Sequence, residues 1–132
     1  MNIEIKGRGS SRKVADILKN EITNKGRSVD DFQISSFDHI ELVSFHQLYP
    51  SIRISPLITC NPVTLAAFAE DMGAWSLNVH REFISQEIVE DAHKRGMKVF
   101  VYTVNYPEQL AKLEKLNVDG VFTNNRFRLL GL

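Results

Sequence analysis

Strand-like and helix-like segments alternate along this chain without interruption, and that alternation most narrows what it can fold into. Residues 2–6 alternate polar and apolar side chains with period two, which reads as a strand. In Ser11–Lys25, Val14, Ile17, Leu18 and Ile22 fall on one helical face, and Gly26 stands where a C-cap belongs. A second strand at 32–37 leads to Asp38 as N-cap of a helix carrying Ile40, Leu42, Val43 and Phe45, closed by Pro50. The pattern then repeats. Strands are expected at 52–58, 74–79, 99–104 and 118–123. Between them lie helices opened by Asn61-Pro62, Ser85 and Pro107, and a short helix is expected at 126–130. Units recurring every 21 to 30 residues or so imply parallel strands joined by helical crossovers. Two architectures qualify: an open doubly wound sheet, and a barrel of eight βα units that typically needs about 250 residues. Six strands are too few for a complete barrel, so on architecture alone the open sheet leads.

Charge and cysteine content remove several function classes. Sixteen basic and sixteen acidic side chains give a formal net charge of +0, which offers no electrostatic footprint for nucleic acid or an anionic membrane. Cys60 is the sole cysteine, so no internal disulfide can form and a reducing compartment is favoured. No apolar run nears the roughly 18 residues of a membrane span, and no secretory apolar segment opens the chain. The expectation is one soluble, cytoplasmic domain over residues 1–132.

Four segments carry a resemblance that changes the architectural ranking. They are Asn-Ile-Glu-Ile-Lys (2–6), Ser-Ser-Phe-Asp-His (35–39), Val-Tyr-Thr-Val-Asn with Pro107-Glu108 (101–108), and Val-Asp-Gly-Val-Phe-Thr-Asn (118–124). In order and spacing they resemble the third, fourth, seventh and eighth strand regions of the glycerophosphodiester phosphodiesterase family. Leu77-Asn78-Val79-His80 and Ala92-His93-Lys94-Arg95-Gly96 also fit. The resemblance implies an incomplete TIM-type (β/α) barrel, with about six parallel strands alternating with helices. That family's earlier signatures, His-Arg-Gly, Glu-Asn-Thr, a second-strand acidic pair and a His-Asp segment, have no counterpart in this sequence.

Glu4 and Lys6 lie two apart on a strand, so both face one side while Ile3 and Ile5 face the other. In a barrel the ionic pair would face the lumen near its C-terminal mouth. By resemblance, Glu4 would be a metal-ligating carboxylate and Lys6 the catalytic contact to phosphate. Phosphodiester hydrolysis suits such a pair, because it needs a hard cation on oxygen ligands and positive charge on a non-bridging oxygen. The plainer alternative is an edge-strand Glu and Lys facing water. Phe37 and Tyr102, at strand ends, would wall a glycerol pocket, or else pack in the core. Asn78 and Asn105 would hydrogen-bond substrate, or else cap loop starts. Asn124, where some relatives carry Asp, receives no charge-dependent role. His39, His46 and His93 read as helix-surface residues remote from carboxylate clusters, whereas His80 is placed to reach the mouth. Cys60 reads as a small buried residue.

The complete domain is thus expected to hydrolyse glycerophosphodiesters to glycerol 3-phosphate and an alcohol with a divalent cation, Mg²⁺ or Ca²⁺. The chain alone is expected to bind that cation weakly or not at all, and to be inactive without the catalytic histidines. Unpaired strand edges suggest self-association or a complementary N-terminal half. A non-catalytic α/β interaction module is the alternative.

Overall fold

The computed structural model describes residues 1–131. Six strands, β1 (Asn2–Glu4), β2 (Gln33–Ser36), β3 (Arg53–Ile58), β4 (Ser76–His80), β5 (Lys98–Tyr102) and β6 (Gly120–Val121), form one sheet. Between and after them lie α1 (Ser11–Lys25), α2 (His39–Leu48), α3 (Ala67–Asp71), α4 (Gln86–Lys94), α5 (Pro107–Glu114) and α6 (Arg126–Leu129). Every neighbouring pair is parallel, and the spatial order is the sequence order, β1 to β6.

That order decides between the two architectures. A doubly wound sheet reverses its strand order at a switch point, which puts helices on both faces. Here the order never reverses, so right-handed crossovers lay every helix against one face and the sheet curls as an arc of a barrel. The fold is a half-barrel of six βα units, and β1 and β6 each pair on one side only. No helix among the described residues is long and apolar enough to cross a membrane.

Period-two alternation sorts the side chains. The helix-facing set includes Ile34, Ile54, Leu77, Val79, Val99 and Val101, all fully buried. Leu18, Leu42 and Phe45 pack onto the first strands, and Ile88, Val89 and Ala92 onto β4 and β5. The lumen-facing set is polar at its base. Gln33 Nε2 donates to Ser55 Oγ at 2.7 Å, the Ser55 and Ser76 hydroxyls lie 2.6 Å apart, and Ser76 Oγ donates to Asn78 Oδ1 at 3.2 Å. Gly120 faces Phe100 here, and a Cβ would sit 3.0 Å from that ring, so no larger residue fits without displacing it.

Three elements depart from their sequence expectation. The helix expected from Pro62 begins only at Ala67, because Leu65 adopts φ 49°, outside the helical region. Asp91 on α4 accepts from the Ala66 amide at 2.9 Å, satisfying a donor there. β6 is shorter than 118–123, since an edge strand has one neighbour to bond, although Asp119 and Phe122 amides still donate to Val99 and Val101 carbonyls. Finally, Val29–Asp31 forms an unanticipated 3₁₀ turn, closed by a reciprocal Ser28–Asp31 capping box.

Candidate active site at the C-terminal mouth

Parallel βα units bring the C-terminal ends of all strands, and the turns that follow, to one rim. Glu4 ends β1, and two residues on Lys6 Nζ stands 3.8 Å from Glu4 Oε2, both side chains in solvent. An exposed pair at that distance contributes little to stability, and so both groups remain available to a ligand. Phe37 follows β2 and meets Tyr102, the last residue of β5, edge to face with centroids 5.9 Å apart. Tyr102 Oη donates to the Ile58 carbonyl at 2.7 Å, so the ring reaches over β4 to the end of β3. Burial first, and then the Glu4 charge, push its phenol up to about 12, so it stays a neutral donor at any working pH. The peptide that follows, Tyr102–Thr103, is cis.

Two cavities open here. One, of about 180 Å³, is lined by Glu4, Phe37, Leu57, Tyr102, Thr103 and Phe122. The other, about 750 Å³ and open to solvent, lies beyond Phe37 between the β1–α1 turn and the start of α2. Glu4 and Phe37 belong to both, and Lys6 lines the larger.

The structure therefore gathers Glu4, Lys6, Phe37 and Tyr102, and it leaves Asn78 out. Asn78 lies in the middle of β4 rather than at its end, and with 0% exposure it faces the packed lumen below the mouth. Asn105 is a loop clamp: its Oδ1 accepts from the Asn124 amide at 3.0 Å. His80 reaches the rim, its ring 5.5 Å from that of Tyr102. His93 is tied to Asp119 at 2.9 Å, and Cys60 is exposed rather than buried. His39 corrects its expectation in part. It lines the larger cavity, but its Nε2 is 3.0 Å from the Leu57 carbonyl and its ring stacks on Phe68.

Sequence reasoning overlooked Arg8, Asp38 as more than a cap, and Glu41. Arg8 Nε donates to Asp38 Oδ2 at 3.1 Å. Glu41 Oε1 accepts from the Gly9 amide at 2.9 Å and Oε2 from the Ser11 amide at 3.1 Å. Those amides, Gly9 first, hold the Glu41 carboxyl below its ordinary range. One carboxylate on α2 thereby fastens the turn that carries Lys6 and Arg8. The sequence signal was faint: a glutamate three residues after an N-cap ordinarily serves its own helix. Replacing Glu41 with Gln leaves one acceptor oxygen for two donors. Amide exchange at Gly9 and Ser11 is expected to quicken several-fold while Leu42 and Phe45 exchange unchanged; unaltered Gly9 and Ser11 rates would show that Glu41 does not hold the turn.

Among the described residues no group of three His, Cys, Asp or Glu is placed to hold a metal. Glu4 offers one carboxylate, and Asp38 is engaged by Arg8 and the Glu41 amide. Mg²⁺ or Ca²⁺ takes six or more oxygen ligands, so these residues do not make a complete site.

A parallel βα arc with an ionic pair and aromatic walls at the C-terminal rim defines part of a (β/α) barrel. Residues 4–126 match the model of the glycerophosphoryl diester phosphodiesterase family, and the chain belongs to that family. It is 34% identical over 99 residues to a glycerophosphodiester phosphodiesterase of Caldanaerobacter subterraneus subsp. tengcongensis, covering 75% of this chain and 41% of that protein. A Bacillus altitudinis glycerophosphodiester phosphodiesterase is 29% identical over 98 residues, covering 72% and 40%. Among solved structures, the Thermotoga maritima glycerophosphodiester phosphodiesterase superposes with TM-score 0.71 at 28% identity, covering 92% of this chain and 52% of the other. An Oleispira antarctica phosphodiesterase, in complex with the product sn-glycerol-3-phosphate, gives TM-score 0.81 at 24% identity, covering 98% and 53%. The chain spans about two-fifths of the length of these curated relatives.

Proposed function

We propose that this chain supplies the substrate-holding wall of a phosphoric diester hydrolase that takes glycerophosphodiesters and water to glycerol 3-phosphate and an alcohol. The observation that carries the reading is the placement of Glu4 in the wall of an aromatic-lined cavity sized for a small polyol, with Lys6 Nζ 3.8 Å from its carboxylate in the adjoining larger cavity. Lys6 sets its ammonium against a non-bridging phosphate oxygen, where negative charge concentrates as water adds to phosphorus and the alcohol oxygen departs. Phe37 and Tyr102 wall the glycerol carbons, and the Tyr102–Ile58 bond keeps that wall in place. Asn78 acts from beneath, as the end of the hydrogen-bonded floor. The product complex of the Oleispira antarctica enzyme supports a glycerol phosphate ligand for this fold. A lone cysteine supports a reducing compartment such as the cytoplasm.

Glu4 contributes one carboxylate toward a divalent cation, and the chain by itself is short of the remaining ligands. Titration with Mg²⁺ or Ca²⁺, followed by amide shifts, is expected to show binding weaker than about 1 mM, and Glu4→Gln is expected to abolish it. Identical titrations of the two proteins would remove Glu4 as a ligand.

A further inference from the structure

The larger cavity differs in kind from the one beside Tyr102. Its walls are fixed: Glu41 fastens the β1–α1 turn through two amides, and Arg8 is joined to Asp38 across the opening. Two exposed apolar side chains, Phe37 at 51% and Ile40 at 75%, line this one concavity, with buried Ile5 also in its lining. Single exposed apolar residues are ordinary, but two facing one built hollow form an apolar surface for a ligand. The charges there are already matched. Asp38 is engaged by Arg8, and in the reading above Lys6 is taken by the phosphate and Glu4 by a cation, which leaves no charge here for a cationic or an anionic alcohol.

A phosphodiester carries two alcohols leaving one phosphorus in different directions. Glu4 and Phe37 are shared by the two cavities, so a phosphate at this boundary, beside Lys6, would send one alcohol into each. We propose that the larger cavity receives the alcohol half of the diester, and that Phe37 and Ile40 select a neutral alcohol with an apolar face, aryl or alkyl, over a cationic or anionic one. This rests on the reading above, in which glycerol phosphate occupies the smaller cavity.

The test uses amide-shift titration of the 132-residue chain with three ligands: sn-glycerol 3-phosphate, glycerophosphocholine, and the 4-nitrophenyl diester of glycerol 3-phosphate. Covering roughly 50 Å² of apolar surface corresponds to about tenfold in affinity. The aryl diester is therefore expected to bind about tenfold more tightly than glycerol 3-phosphate, with shifts at Arg8 and Ile40, and the choline diester to gain nothing. In Ile40→Glu the ratio of aryl diester to glycerol 3-phosphate affinity is expected to fall toward one. Equal affinities in the parent chain, a tighter choline diester, or a ratio untouched by Ile40→Glu would each overturn the alcohol site and leave the glycerol phosphate reading standing. Absence of any glycerol 3-phosphate binding, or binding indifferent to Lys6→Ala, would overturn both.

Discussion

The 132-residue chain, incubated with glycerophosphocholine and Mg²⁺ or Ca²⁺, is expected to release glycerol 3-phosphate at least about 10⁴-fold more slowly than a full-length relative such as the Caldanaerobacter subterraneus enzyme. The expectation follows from the side chains that surround Glu4. Tyr102 holds its proton up to about pH 12, and Lys6 is an exposed ammonium. His39 is the one imidazole in the lining of either cavity, and its Nε2 and ring are committed to Leu57 and Phe68. In the reading proposed above the rim positions a phosphate, while His39 is already bonded and His80 stands at the rim outside the lining of either cavity. A positioned general acid or base contributes about 10²- to 10⁴-fold each, and losing two that act independently compounds the loss. Adding a polypeptide with the first two βα units of a relative, able to pair with β1 and β6, is expected to restore part of the rate. Release by the chain alone within about tenfold of the relative would show that His39 or His80 does serve as the acid or base.

Phe45→Ala is expected to have the largest effect on stability. Phe45 has 0% exposure and fills the space between α2 and the first three strands, with Ile34, Leu42, Ile52 and Ile54 around it. Truncating a buried phenylalanine costs about 3 to 5 kcal/mol, from lost apolar burial plus the cavity left behind. That is a large share of a typical domain's net stability, and more so where two sheet edges lack neighbours. Urea unfolding followed by circular dichroism measures it, with Ile17→Ala as the contrast. Ile17 lies on the apolar face the sequence predicts for α1, yet it is half exposed, so its truncation is expected to cost under about 1 kcal/mol. Equal losses at the two positions would mean that the cluster around Phe45 is not the core of this half of the sheet.

The order and type of elements are legible in the sequence because they are encoded locally. Alternation at 2–6 and 99–104, Gly26 as a left-handed cap at φ 68°, and Pro107 at a helix start each depend on a few neighbouring residues. Glu4 and Lys6 were expected to share a strand face, but β1 ends at Glu4, and Lys6 comes within 3.8 Å of it from the turn that follows. What escaped depends on residues far apart in the chain. Leu65 ends any helix from Pro62 in a structure where α4 supplies Asp91 to the Ala66 amide, a partner 25 residues on. Asn78 looked like a strand end, but β5 extends the pairing through His80–Tyr102 and buries it. Ile17 satisfied a helical periodicity that α2 and the sheet do not cover.

The sequence by itself thus determined that parallel βα units are present and which family the motifs resemble. Only the tertiary structure decided that the sheet curls instead of reversing, because strand order is set by pairing between segments and not within them. It alone joined Phe37 to Tyr102 across 65 residues of chain, and used Glu41 to fasten the turn bearing Lys6 and Arg8. The physical reason is common to both. Periodicity is a property of one segment, whereas a rim is made by the ends of several strands and exists only once they lie side by side.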